Sequence, residues 1–416
     1  MSSEPLSQLK VLLIAPHFDR NVPGESWSTF KWIEGLSRNC HVTVLTTHSK
    51  GWSQANSPTE AITVVDWPDV ILPARFARIN YEVSPGYLVF YYRVRKWIKH
   101  QLRRGWDFDL VHQINPLALR YPSPAAGLGI PYLIGPLAGS LTTPSGFAAE
   151  GTDKQWFRKL RYLDKFRLRF DPLLRRTYAD AELVLGVAPY VRDLLAPCGL
   201  KRFAVMSETG VDSVAKVRKS PLVDGKPLRL LFVGRIIRTK GVIDAIHAVA
   251  QGLKHYPLRF DIIGDGDHLS ACRKEVLRLG IENQVQFHGW LPRTELDHWY
   301  QNADVFLFPS FREPSGNVIF ESMKHGLPVI TSTLGGPGHV VDDSCGIRVI
   351  PDNPDSYAKS LGEAITGLAS NPKRLAEMSE AAVDRLEKIA LWQLKIDRML
   401  VLYNEAVNPN RNNINL

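Results

Sequence analysis

Residues 304–338 read DVFLFPSFREPSGNVIFESMKHGLPVITSTLGGPG. A short apolar run, a small-residue loop, a helical stretch, a second apolar run and a glycine-rich loop follow one another, so the segment reads as strand, loop, helix, strand and loop. That succession is the repeating unit of a parallel α/β sheet. Glu313 stands before the helix and Glu321 inside it, eight positions on. Between them Pro314-Ser315-Gly316-Asn317 feeds the helix start. There Ser315, Gly316, Asn317 and Val318 offer backbone N–H groups and the positive end of the helix dipole to an anion. Asn317 and Glu321 are four apart and share a helix face, which places a carboxylate beside that anion site.

The same alternation extends in both directions. LRLLFVGR (228–235) is a strand, and the strands RFDIIGDGD (259–267) and VQFHGWL (285–291) follow, with helices between them. The first half repeats the theme: KVLLIAPHF (10–18), HVTVLTTH (41–48), FDLVHQINP (108–116), IPYLIGPLAGS (130–140), ELVLGVAP (182–189) and KRFAVMSETGVD (201–212) are strands, with a helix at 27–40. VAKVRKSPLVDGKP (214–227) is charged and reads as a linker. The expected organisation is α/β, with two Rossmann-like domains facing each other across a cleft: an N-terminal domain over 1–210, a linker over 211–227 and a C-terminal domain over 228–390. A last helix and a polar tail occupy 391–416.

Composition bounds the rest. The 416 residues are 44% hydrophobic and 22% charged, as in a globular protein. Cys40, Cys198, Cys272 and Cys345 are scattered, with no Cys-x-x-Cys pair, so a disulfide framework and a zinc site are not expected and a reducing cytoplasm fits. The polar start MSSEPLSQLK shows no secretory leader, and no apolar run approaches the ~20 residues of a membrane span. The formal charge of +9 calls for an acidic partner or surface.

Further candidates sit where strands end. FVGRIIRTKG (232–241) places Gly234, Arg235 and Lys240 on one loop before a helix, and two cations there can neutralise a diphosphate, the arginine by its fork. IIGDGDHL (262–269) turns on Gly264 and Gly266. FHGWLP (287–292) puts Gly289, Trp290 and Leu291 at a strand end, where Trp290 reads equally as a ligand border or a packed indole. His112 lies near the end of the strand in FDLVHQINP, as either a cleft-facing group or a structural one. Asp265-x-Asp267 and Asp107-x-Asp109 have the look of metal ligands, but neither gathers enough oxygens alone, and no metal site is expected.

These pieces resemble the retaining glycosyltransferases of family 4. Pro309-Ser310, Glu313, Gly316, Glu321, Gly326, Pro328 and Gly335-Gly336 match their ordered Glu-x7-Glu block, and Gly234, Arg235, Lys240 and Gly241 match their F-V-G-R…K-G loop. The resemblance implies the GT-B architecture, with the last helix crossing back to the first domain. It implies a nucleotide-sugar donor on the second domain, a UDP- or GDP-sugar, with no other cofactor. Arg235 and Lys240 contact its diphosphate, Glu321 its ribose and Glu313 the transferred sugar; Gly264, Gly289, Trp290 and Leu291 border the nucleotide. The chain departs from the pattern at two places. His112 is followed by Ile114 where a second histidine is usual, leaving Asn115 as a polar substitute. The first loop, HFDRNVPGESWSTF (17–30), has only Pro23-Gly24 where a Gly-Gly pair is usual, so that Gly24 alone allows backbone approach and Ser26, Ser28 and Thr29 are the helix-capping candidates. Gly135, Gly139 and Ser140 are candidates for the acceptor side.

KQWFRKLRYLDKFRLRFDPLLRRTY (154–178) reads as an amphipathic basic helix. Trp156, Leu160, Leu163, Phe166 and Phe170 fall on one face and Arg158, Arg161, Lys165 and Arg169 on the other; 91–106 is similar. Such a helix suits an anionic membrane surface, or packs its apolar face on its own domain. No RNA-binding signature accompanies it, and no nucleic acid is expected. The expected function is hexosyl transfer from a nucleotide sugar to a lipid-linked saccharide in cell-surface polysaccharide assembly. The expected location is cytoplasmic and peripheral on the inner membrane face. A soluble acceptor and a non-catalytic nucleotide-binding protein are the alternatives.

Overall fold

A computed structural model of the chain describes residues 9–22, 24–48, 62–70, 86–150, 156–214 and 226–408, with the backbone alone for 149–150 and 156–162. The chain forms two compact units. The first takes Met1–Ser140, Gln155–Gly210 and Trp392–Leu416; the second takes Leu141–Lys154 and Val211–Leu391.

In the first unit the strands are β1 (Lys10–Ile14), β2 (His41–His48), β3 (Thr63–Pro68), β4 (Leu110–Gln113), β5 (Tyr132–Leu137), β6 (Leu183–Gly186) and β7 (Phe203–Val205). They form one parallel sheet in the order β3-β2-β1-β4-β5-β6-β7. Its helices are α1 (Glu25–Leu36), α2 (Gly86–Arg104), α3 (Trp156–Phe170), α4 (Pro172–Ala179) and α5 (Tyr190–Leu195). The central strands are near-continuous Val, Leu and Ile runs because helices cover both faces of a parallel sheet; Val11, Leu12, Leu13 and Ile14 are all buried. The edge strand β3 was not evident in the sequence. Its pattern is only half-buried, and its place is set by pairing with β2.

The second unit has β8 (Leu228–Val233), β9 (Leu258–Ile263), β10 (Val285–Gly289), β11 (Val305–Phe308), β12 (Val329–Ser332) and β13 (Gly346–Val349), in the order β10-β9-β8-β11-β12-β13. Its helices are α6 (Val242–Gly252), α7 (Leu269–Leu279), α8 (Arg293–Asn302), α9 (Asn317–Lys324), α10 (Gly335–Val340), α11 (Pro354–Ala369) and α12 (Pro372–Ala390). Both sheets have the doubly wound order of a Rossmann-like half, and the architecture is GT-B.

Two features depart from the sequence expectation, and the last helix follows it. The basic helix of 154–178 is two helices. Pro172 has no N–H to continue the first, and the Asp171 side chain caps the second by accepting from the backbone N–H of Leu173 at 2.9 Å. Residues 141–148, read as part of the first domain, belong to the second unit, where Phe147 is fully buried. The C-terminal helical stretch breaks at Leu391, and α13 (Trp392–Val407) belongs to the first unit. There Trp392, Ile396, Met399 and Tyr403 are buried with Trp32 and Ile33 of α1. The Lys395 ammonium donates to Ser207 Oγ at 2.8 Å and to the carbonyls of Ser207 and Thr209; burial pushes it down to about 7, against the pull of Glu208. Most of the expected linker and tail, 215–225 and 409–416, lies outside the described residues.

Candidate active site

The order of the second sheet brings the two strongest motifs together. β8 and β11 are neighbours, with Leu230 and Leu231 opposite Val305 and Phe306. The strand order turns between them, and at such a switch point the loops leaving the carboxyl ends part to form a crevice. β8 runs out through Gly234 and Arg235 to the short turn Arg238–Lys240; β11 runs out through 309–316 to the start of α9. Ser310 stitches the two loops. It is fully buried, its hydroxyl donates to the Thr239 carbonyl at 3.1 Å, and its own carbonyl accepts from Ser332 Oγ at 2.7 Å.

The three cations of the first loop have different surroundings. Arg238 makes a bidentate pair with buried Asp244, at 2.6 and 3.0 Å, and belongs to the framework. Lys240 is buried, lies over the ring of Phe308, and pairs through Nζ with Glu313 Oε2. The Arg235 side chain is exposed and makes no hydrogen bond or ion pair with the described residues. The other oxygen of Glu313, Oε1, accepts from the Gly316 backbone N–H at 3.2 Å. One carboxylate thus holds both a lysine and the amino end of α9. Asn317 Oδ1 beside it is buried without a hydrogen-bond partner among the described residues.

Glycines let these loops lie on their neighbours. A Cβ at Gly335 would stand 2.0 Å from the Glu313 carbonyl oxygen and one at Gly336 2.3 Å from that of Ser315, so the Gly-Gly pair seats the 313–316 loop. Gly264 and Gly266 do the same for the cationic loop: a Cβ would stand 1.8 Å from Gly234 O and 2.3 Å from Ile236 O. The family resemblance sets Gly264 of this pair at the border of a nucleotide. The structure gives them a framework reason, contact with the backbone of the neighbouring loop.

Glu321, on α9, is held from two sides. Arg293 Nη2 reaches Oε1 at 2.8 Å, and the buried Tyr300 hydroxyl donates to Oε2 at 3.2 Å. Burial pushes the Glu321 carboxyl up, opposed by Arg293 and the Tyr300 hydrogen bond. Neither partner was anticipated, because nothing in the sequence links α8 to a carboxylate more than twenty residues further on. Trp290 is 74% exposed, so it is not a packed indole, while Leu291 packs on the core of the unit. Gly289 accepts through its carbonyl from the Gly264 N–H at 2.7 Å.

In the first unit His112 is a correction. It is fully buried, Nε2 lies 2.7 Å from the Gly135 carbonyl, and Nδ1 lies 2.6 Å from the Tyr403 hydroxyl. Burial pushes it down to about 4, so it stays neutral, donating from Nε2 and accepting at Nδ1. Neither nitrogen is left for a sugar. Asn115 donates to the His17 carbonyl at 2.6 Å and to Thr29 Oγ1 at 3.1 Å, tying the first loop to the end of β4. Gly24 is exposed and begins α1, but no side chain caps that helix; Thr29 Oγ1 donates back to the Glu25 carbonyl instead. Gly135 faces the Leu185 carbonyl, 2.3 Å from where a Cβ would sit, and Ser140 donates to buried Asp164 at 2.9 Å, so both are framework groups. Asp107 and Asp109 bind the side chain and backbone N–H of Lys10.

Comparison with known proteins matches both halves. Residues 24–206 fit the model described as a glycosyl transferase 4-like domain, and 213–385 fit that of glycosyl transferases group 1. The chain belongs to the family 4-like glycosyltransferases. It is 30% identical over 252 residues to a D-inositol 3-phosphate glycosyltransferase of Streptomyces bingchenggensis, covering 58% of this chain and 52% of that one. The chain spans about half the length of the curated relatives it matches, or less. A crystal structure of Anabaena HepE in complex with UDP and glucose superposes with a TM-score of 0.60 at 16% identity, over 95% of this chain and 100% of that one. The lipopolysaccharide outer core galactosyltransferase WaaB gives 0.64 at 17%, over 95% and 99%. At such identities the two structures speak for the fold.

Proposed function

We propose that this chain transfers a hexosyl group, with retention of configuration, from a UDP- or GDP-sugar to a lipid-linked saccharide at the cytoplasmic face of a membrane, in cell-surface polysaccharide assembly. The observation that carries the donor half is the convergence of Lys240, Glu313 and the start of α9 at the switch point of the second sheet. The diphosphate lies on Arg235, Lys240 and the N–H groups of 316–318. Negative charge grows there as the bond from the anomeric carbon to the diphosphate oxygen breaks, so these contacts strengthen in the transition state. Glu321, braced by Arg293 and Tyr300, takes the ribose hydroxyls, and Glu313 takes hydroxyls of the transferred sugar. The acceptor hydroxyl attacks from the leaving-group face and its proton passes to the departing diphosphate oxygen, so neither a protein base nor a metal is needed. The HepE complex with UDP and glucose supports a donor of this class. Incubation with UDP-, GDP- and ADP-sugars should show slow hydrolysis of one donor, unaffected by chelator. If a nucleotide sugar is bound but none is hydrolysed or transferred, a non-catalytic nucleotide-binding role replaces transfer.

The acceptor half rests on α3 and α4. Their buried side chains include Asp164, Leu168 and Leu174, while Phe166 and Phe170 are 60% and 58% exposed, with Leu163 and Leu173 exposed beside them. Lys165, Arg169 and Arg175 are exposed on the same helices, and Leu88 and Tyr92 are exposed on basic α2. Packing against its own unit therefore does not account for this apolar face. The side chains of Trp156, Arg158, Leu160 and Arg161 lie outside the described residues. No described helix is long and apolar enough to cross a membrane. Each cation near an anionic surface contributes ~1 kcal/mol, enough in sum for reversible docking. Liposome co-sedimentation should require anionic lipid, weaken with salt, and fall when Arg158, Arg161, Lys165 and Arg169 are changed to Gln. Indifference to anionic liposomes at low salt would favour a soluble acceptor; the Streptomyces relative is named as a D-inositol 3-phosphate glycosyltransferase.

A further inference from the structure

The Glu313 carboxylate holds two groups that a phosphate would claim. Its Oε2 is on the buried Lys240 ammonium, and its Oε1 accepts from the Gly316 N–H that opens α9. A carboxylate and a phosphate ask for the same things: a cation and N–H donors at hydrogen-bond distance. They cannot share a single lysine and a single N–H in full. We infer that Glu313 is an internal surrogate for the donor's phosphate, and that an arriving diphosphate exchanges with it. This rests on the donor-site reading above and adds a second role for Glu313.

The exchange has a direction. Lys240 Nζ lies over the face of Phe308, on a turn pinned by Ser310 and by the Arg238–Asp244 pair. Its stem is therefore fixed, and the carboxylate is the mobile partner. The Glu313 backbone is anchored too, since its carbonyl accepts from the Gly336 N–H at 3.2 Å. Only rotation of the Glu313 side chain frees the lysine. A diphosphate taking Lys240 and the Gly316 N–H thus turns out a carboxylate that stays within a side chain's length of them. The sugar is attached to that same diphosphate, so the released carboxylate meets its hydroxyls. A bare nucleoside diphosphate displaces Glu313 and gives it nothing in return. A nucleotide sugar displaces it and supplies new partners. Glu313 thereby favours the loaded donor over the spent nucleotide, which assists release of product.

The test is calorimetric titration of the full chain with UDP and GDP, in wild type and Glu313→Gln. Glutamine keeps the size and one acceptor for the Gly316 N–H but loses the charge on Lys240. The better-bound nucleotide should bind Glu313→Gln about tenfold more tightly, while donor turnover falls. Pyrophosphate alone should show the same gain. In a Lys240→Met background the gain should vanish, because no cation is left to contest. Glu313→Asp, one methylene shorter, should also gain, and serves if the glutamine variant does not fold. Equal or weaker nucleotide binding in a folded Glu313 variant overturns the exchange and leaves the donor site standing. Absence of nucleotide binding in wild type and variants alike overturns the donor site itself, and the exchange with it.

Discussion

Alanine at Arg235 or at Lys240 should lower kcat/KM for the nucleotide-sugar donor by about 10²–10³, with the fold intact, because each cation stabilises charge that develops only as the diphosphate departs. The two variants test different things. The Arg235 guanidinium is exposed and makes no ion pair or hydrogen bond with the described residues, so its loss leaves no side-chain partner unsatisfied among them. A drop in Arg235→Ala is therefore a statement about the ligand. Lysine should substitute poorly at 235, since a point charge lacks the planar fork that grips two phosphate oxygens. Lys240 is buried against Glu313, so its removal leaves a half-buried carboxylate with only the amino end of α9 for support. Lys240→Ala should lose some stability as well as activity, and melting curves separate the two. Full activity in either variant, measured with the donor found in the panel, removes the diphosphate from this loop.

How much of this was legible in the sequence depends on the range of the interactions involved. The strand-loop-helix units, and the placing of Glu313, Glu321, Arg235 and Lys240 at strand and helix ends, follow from apolar runs and glycines a few residues apart. The sheet order that sets β8 beside β11 is not written in either strand; both are apolar runs that pair with any parallel neighbour. His112 shows the opposite limit. Its position at a strand end suggested a cleft, but its partners are the Gly135 carbonyl and Tyr403, 291 residues away on α13. The close contact of Gly264 and Gly266 with the neighbouring loop at Gly234 and Ile236 is likewise not written in the Gly-x-Gly itself. The amphipathic pattern of 154–178 was visible, whereas the side on which its apolar residues would lie was not. Only the packing of Asp164 and Leu168 inward leaves Phe166 and Phe170 outward.

The segment 141–148 was the least legible and gives the second large effect. Phe147→Ala should destabilise the second unit by about 3–5 kcal/mol, the usual cost of removing a buried phenyl ring. Phe147 is 0% exposed, stacked on Phe311 at 4.3 Å and edge-on to Tyr357 at 6.0 Å. The Arg238 guanidinium lies 5.2 Å from the ring centroids of both Phe147 and Phe311 while paired with Asp244. Truncation therefore removes an aromatic pair and one wall of a buried ion pair together. Flanking contacts keep the segment in place: Arg312 donates to Thr143 Oγ1 at 2.9 Å, and Gly146 lies so close that a Cβ would meet the Asp352 carbonyl at 2.0 Å. The backbone then cannot close over the cavity, which places the cost at the upper end of the range. Phe147→Leu, which keeps most of the volume, should cost distinctly less. Phe311 is two residues before Glu313, so the alanine variant should also raise KM for the donor more than it lowers kcat, by loosening the loop that carries the carboxylate. Denaturant unfolding followed by Trp fluorescence, paired with donor kinetics, measures both. An unchanged unfolding midpoint in Phe147→Ala would mean that 141–148 merely rests on the second unit, and the donor loop would then owe its position to Ser310 and the Gly335-Gly336 pair alone.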